Sequence, residues 1–227
     1  MDIKKMIRDM TLAEKASLCS GADFWHTETI DRIGLKAIMV SDGPYGLRKQ
    51  EEIINNMGWA KSILAVGFPT AASLANSFDR DLVHEVGNAL GDECQAEDVA
   101  VLLGPGINMK RSPLGGRNFE YYSEDPLLAG MMAAAMTLGV QKVPGCGTTI
   151  KHFACNNQED NRMGSDSILS ERALREIYLK GFEIAVKDAQ PMSIMTSYNL
   201  INGVHAANCY DTCTKAARDE WGFAGAI

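Results

Sequence analysis

Long apolar runs, excess positive charge and phosphate-cradling loops are all scarce in this sequence. No window of its 227 residues approaches the ~18 unbroken apolar residues that a bilayer-spanning helix requires. Lys and Arg number 22 against 29 Asp and Glu, a net charge of −7, so counterion release gives nucleic acid no grip. The opening MDIKKMIRDMTLAEK scatters charge through a stretch that has no apolar core segment, unlike a secretory leader. There is no GxxxxGK[ST], no GxGxxG after a strand and no HExxH, which removes the main phosphate, dinucleotide and zinc-protease signatures. There is also no CxxC: the six cysteines at 19, 94, 146, 155, 209 and 213 are widely and irregularly spaced. Free thiols in a reducing cytoplasm are the expectation. His205, Cys209 and Cys213 share a four-residue spacing, but Asn202-Gly203 and Asn208 argue for a loop there, so no metal stripe is expected. No cofactor, metal, nucleic acid or membrane is expected as a partner.

What remains is an ordinary globular composition, 46% apolar and 22% charged, long enough for a large core. Thr11-Leu-Ala-Glu14 is a capping-box pattern, predicting a helix that ends near Gly21. Ala37–Val40, Val99–Leu103, Thr148–Ile150 and Met192–Thr196 are short apolar runs that predict buried strands. Between them lie helical patterns: 79–97, capped by Ser77 or Asp79; a helix from Asp125-Pro126 to Gly139; and a long one from Ser170 with Leu174, Ile177, Tyr178 and Phe182 on one face. Asp211 is expected to cap a further helix stopping at Gly222, and Phe223–Ile227 to begin another strand. Met131, Met132 and Met136 read as core packing rather than an adaptable binding face.

Strands alternating with helices predict parallel pairing, because parallel strands require crossovers. The fold class is α/β, and a (β/α)8 TIM-type barrel over residues 1–227 is preferred to a doubly wound sheet. Polar motifs follow almost every strand, and a barrel converges all its strand ends on one site. The motifs are Ser41-Asp42-Gly-Pro-Tyr45-Gly-Leu-Arg48, the long loop Gly104–Asp125 with Arg117 and Glu120, Lys151-His152 with the polar stretch Asn156–Arg162, and Ser197-Tyr198-Asn199. Each has a plainer alternative. Asp42 could be a turn carboxylate bonding its own backbone. Arg117 and Glu120 could be a structural ion pair. His152 could be a satisfied core histidine beside a surface lysine. Lys151 at a buried strand end demands an acidic neighbour or an oxygen-rich ligand. Trp25, Trp59 and Tyr45 could be sugar platforms or packing. Together these groups suit a polyol, because carboxylates and cations can each grip pairs of hydroxyls.

In these stretches the chain resembles the N-terminal barrel domain of glycoside hydrolase family 3, of the β-glucosidase type. The resemblance rests on SDGPYGLR (41–48), GPGINMKRSPLGGRNFEYYSEDP (104–126), KHFACNNQEDNR (151–162), MTSYNLINGVHAANC (195–209) and EWGFAGAI (220–227), in the family's order along nearly the whole chain. It implies retaining cleavage of terminal β-linked sugars. Asp42, Arg117, Lys151 and His152 would hold hydroxyls in the −1 subsite, and Arg48, Arg162 and Tyr198 would line the same pocket. FACNNQEDNRM lacks the second His of the hexosaminidase branch, which favours the glucosidase branch. Retaining hydrolysis also needs two carboxyl groups ~5 Å apart. The family's nucleophile is an Asp expected about three residues past Ile227, and its acid/base usually comes from a following domain. The expectation is therefore an incomplete barrel, inactive and aggregation-prone alone, that lacks further C-terminal domains and whose partner is a small β-glycoside. Asp42 as nucleophile is the minor alternative. So are a non-catalytic sugar-binding remnant and a Schiff-base lyase using Lys151.

Overall fold

The computed structural model describes residues 2–54 and 60–227. Its centre is a four-stranded parallel sheet built in chain order: β1 (Met39–Ser41), β2 (Val99–Leu102), β3 (Gly147–Phe153) and β4 (Ser193–Thr196). Register is set by pairs such as Val40 with Val101, Leu102 with Thr148, and Ile150 with Ile194. Each strand feeds a helix. These are α1 (Arg80–Ala96), α2 (Pro126–Gln141), α3 (Lys180–Ala189) and, after β4, a wide-turned helix over Asp211–Glu220. This is the parallel α/β pattern that the alternating sequence predicts.

The helix starts follow from local chemistry. Thr11 and Glu14 form the full capping box on Leu12–Ser17. The Asp79 carboxylate accepts from the Asp81 and Leu82 amides at the head of α1, and Asp125 caps α2 with Pro126 in its first turn. Ser170 also caps as expected, but its helix is not uniform: Leu174–Tyr178 widens before α3 begins. Asp211 differs from expectation. The cap position is Tyr210 and no side chain bonds the free amides, so Asp211 is the first helical residue. Phe223–Ile227 forms a single parallel bridge, Ala226 to Ser193, with the Ile194 amide donating to the Ala226 carbonyl.

The core lies between the sheet and the helices. β3 is buried along its whole length, as a central parallel strand covered on both faces must be. On α1 the buried residues Val83, Gly87, Leu90, Gly91 and Cys94 follow helical spacing, and α2 is buried on almost every side, with Met132 and Met136 packed inside. Met132 and Met136 are core, and Met131 is half-buried. All six cysteines are free thiols. His205 lies on a short strand with Val204, paired across the Asn202-Gly203 turn to Leu200–Ile201, while Cys213 lies within the last helix, so the spaced trio shares no helical face. Two of the four parallel strands therefore end in titratable side chains, at Asp42 just past β1 and at Lys151 and His152 within β3, facing the loop Gly104–Asp125 that follows β2.

Candidate functional site

Ser41 closes β1 and is fully buried, which carries Asp42 to the sheet end. The loop then doubles back: the Arg48 amide donates to the Asp42 carbonyl at 2.9 Å. Gly43 makes this possible with φ +112°, a conformation that side-chain-bearing residues rarely adopt. The turn sets Arg48 Nη2 3.4 Å from Asp42 Oδ2, a pair whose arginine is largely exposed and therefore weak.

Lys151 lies at 2% exposure on β3. Its Nζ stands 3.2 Å from Asp42 Oδ1 and 3.0 Å from Glu120 Oε1. Glu120 Oε2 in turn accepts from Arg117 Nε at 2.7 Å and lies 2.6 Å from Nη2. The buried lysine thus has the acidic neighbours its burial requires. The result is one chain of charge, Arg48–Asp42–Lys151–Glu120–Arg117. Burial opposes the Arg117 charge, but Glu120, with Tyr121 and Glu159, outweighs it and raises the pKa.

His152 is 6% exposed. Its backbone is clamped twice by Asn108, whose Nδ2 donates to the His152 carbonyl and whose Oδ1 accepts from the His152 amide, each at 2.7 Å. Its Nδ1 lies 2.9 Å from the Tyr121 hydroxyl. Burial, reinforced by the positive charge of Arg117, Lys151 and Arg162, pushes its pKa down to about 2, so the ring is neutral at any working pH. Arg162 bonds Glu159 at 3.0 Å and stacks over the Tyr198 ring at 4.8 Å.

Asp42, Arg48, Arg117 and Lys151 line one open cavity of about 370 Å³, together with Tyr45, Phe68, Phe119 and Glu120. Of the expected site residues, His152, Arg162 and Tyr198 lie outside that lining, the last two joined to each other. His152 is linked to Arg162 through Tyr121, Asn156 and Glu159. Tyr45 is the one expected platform in the cavity; Trp25 is tied to Gln50, and Trp59 lies outside the described residues. Glu120 is an ion-pair partner, as the plainer alternative held, yet the same pairing puts it in the cavity wall. The sequence does not mark Asn108, Tyr121, Asn156 and Glu159 individually as site residues. Asn108 and Tyr121 fall in the loop Gly104–Asp125 and the other two in the polar run Asn156–Arg162, but no local pattern joins them, because the Asn108 and Tyr121 contacts with His152 span 44 and 31 positions.

The arrangement can hold a neutral, hydroxyl-rich molecule: carboxylates accept and cations donate to adjacent hydroxyls around one opening. The Lys151 ammonium is committed to two carboxylates, which suits it to donating hydrogen bonds rather than attacking a carbonyl.

Comparison with known proteins supplies the family. Residues 55–227 match the family model described as the glycosyl hydrolase family 3 N terminal domain. The chain is 54% identical over 221 residues to thermostable beta-glucosidase B of Acetivibrio thermocellus, covering 97% of this chain and 29% of that protein. It is 51% identical over 224 residues, with the same coverages, to an exo-alpha-(1->6)-L-arabinopyranosidase of Bifidobacterium breve. Among solved structures, beta-glucosidase 3B from Thermotoga neapolitana in complex with glucose superposes with a TM-score of 0.93 at 42% identity, covering all of this chain and 33% of that one. The chain therefore spans about three tenths of the length of the curated relatives it matches.

Proposed function

Because this chain belongs to glycosyl hydrolase family 3, as its N-terminal domain, we propose that it holds the terminal sugar of a β-glucoside-type substrate in the −1 subsite during retaining hydrolysis. The observation that carries this is the buried Lys151 bridging Asp42 and Glu120 at the edge of the cavity. Asp42, Arg117, Lys151 and His152 hold ring hydroxyls, with Arg48 in the cavity wall and Arg162 and Tyr198 paired beside it. Such contacts contribute to catalysis, not only to affinity, when they strengthen as the ring flattens toward the oxocarbenium-like transition state.

The two reacting carboxyl groups are a separate matter. Asp42 and Glu120 are both committed to Lys151, which suits hydroxyl binding better than nucleophilic attack. The nucleophile is proposed as an Asp following the strand that Phe223–Ile227 begins, and the acid/base as a carboxyl from a following domain. The four parallel strands in chain order support a barrel of the (β/α)8 type as the complete architecture. Six free thiols support a reducing compartment.

The 51% identity to an arabinopyranosidase favours a second reading at the level of the sugar, a pentopyranose in place of glucose. The test compares kcat/KM of the intact protein for aryl β-D-glucoside, β-D-xyloside, β-D-galactoside and α-L-arabinopyranoside, with product anomers followed by NMR. Release of glucose with retained configuration, preferred over the other three, supports the proposal. Preference for the arabinopyranoside moves it to the second sugar. Glucose binding without cleavage of any glycoside leaves a sugar-binding protein and overturns the hydrolase.

A further inference from the structure

Resting on the sugar-binding role just proposed, we infer that Tyr121, Asn156 and Glu159 act as positioning residues that hold His152 as the neutral tautomer with its proton on Nε2, making it a hydrogen-bond donor to the sugar.

Hydrogens can be followed from one end of a chain of contacts to the other. A carboxylate only accepts, and Glu159 accepts twice: Oε2 from Arg162 Nη1 at 3.0 Å and Oε1 from Asn156 Nδ2 at 3.0 Å. This sets the Asn156 amide, because the flipped orientation would turn its carbonyl oxygen against the Glu159 carboxylate. Asn156 is 4% exposed, so water does not offer its amide easy alternatives. The second hydrogen of Nδ2 then goes to the Tyr121 hydroxyl oxygen at 2.9 Å. That hydroxyl has one hydrogen of its own, and burial keeps it there by raising the phenol pKa. Its remaining neighbour is His152 Nδ1 at 2.9 Å, so the phenol donates and Nδ1 accepts.

A neutral imidazole with a bare Nδ1 carries its proton on Nε2. Nε2 has no hydrogen-bond partner among the described residues, while the Asn108 clamp holds the backbone from which the ring projects. Two devices thus act on one ring. Burial, together with the charge of Arg117, Lys151 and Arg162, keeps it uncharged, and the Glu159–Asn156–Tyr121 chain chooses which nitrogen bears the hydrogen. The opposite tautomer would present a bare lone pair at Nε2 instead of a donor.

The experiment is a long-range ¹H–¹⁵N correlation spectrum of the intact protein labelled at its histidine rings. His152 is assigned among the four histidines by the signals missing from His152→Gln. The expected spectrum shows a bare Nδ1 and a protonated Nε2, unchanged from pH 5 to pH 8; a protonated Nδ1 overturns the inference. Tyr121→Phe removes the donor, so both ring nitrogens should move toward intermediate shifts as the tautomers mix. kcat/KM for the aryl glucoside should fall by about 3- to 10-fold, the scale of one hydrogen bond. A spectrum and rate unchanged in Tyr121→Phe would overturn the role of Tyr121. If Tyr121→Phe does not fold, Asn156→Ala, which frees the phenol to accept instead, should give the same mixing, and an unmixed spectrum there overturns the chain. An Nε2–H ring in a protein that neither binds glucose nor cleaves a glycoside supports the tautomer assignment while removing the sugar-binding role.

Discussion

At the residue scale the site is a set of charges whose partners were chosen by folding. Glu120 matters most, because two buried or half-buried cations depend on it. Removing one partner of such a cluster leaves charge buried without compensation, so Glu120→Ala is expected to cost about 3–5 kcal/mol of stability, measured by urea unfolding. Asp42 is more accessible and its loss should be tolerated structurally. Asp42→Asn should instead lower kcat/KM by about 10²-fold, the scale of charge-assisted bonds to two hydroxyls, with the unfolding midpoint nearly unchanged. His152 leaves a pH signature. Its folded pKa is depressed to about 2, so below about 6.5 the unfolded chain takes up a proton that the folded one refuses. Stability held above that pH is lost as pH falls toward 2. Between pH 7 and pH 5.5 the loss is about 1 kcal/mol, and His152→Gln should remove that part of the slope in paired urea titrations.

At the element scale, small residues decide how closely α1 and α2 approach. A Cβ on Gly87 would stand 2.6 Å from the Met136 carbonyl oxygen and 3.1 Å from the Gly139 Cα, both backbone atoms that cannot swing aside. Gly87→Ala should therefore destabilise by about 1–3 kcal/mol, although alanine is the better helix former by nearly 1 kcal/mol. A lowered melting temperature checks this; a raised one would mean that the helices part at no cost. Helix heads are legible in the amino-acid sequence, because Thr11, Asp79, Asp125 and Ser170 act on amides two or three residues away. Asp211 misleads, since an acidic residue at the start of a helical pattern fits a cap and a first-turn position equally well. The widened turn at Leu174–Tyr178 is not legible either, as the face pattern it interrupts survives on both sides of it.

At the scale of the whole molecule, a ligand that binds only the folded state stabilises by mass action. Glucose at 100 times its Kd should add about 2.7 kcal/mol, seen as a rise of several degrees in the melting temperature of the intact protein. Asp42→Asn should cut the rise sharply at the same concentration; an equal rise in the variant would dissociate glucose binding from this cavity. The order of the parallel strands makes such coupling direct, since β1 and β3 deliver Asp42 and Lys151 to the cavity while the loop after β2 delivers Arg117 and Glu120.

The sequence by itself determined the α/β class, the order of strands and helices, most of their caps, and the motifs that match the family. All of these depend on neighbours within a few positions or on periodicity along one element. It also singled out Asp42 just past a strand, Arg117 in a long loop, and Lys151-His152 as basic residues at an apolar strand end. Only the tertiary structure decided who pairs with whom. Lys151 meets Asp42 across 109 positions, and Asn108 and Tyr121 reach His152 across 44 and 31. Such contacts leave no local pattern to read, because they exist only once parallel strands bring their ends together. The same physics made Glu120 part of the site and set Arg162 and Tyr198 against each other outside the cavity wall.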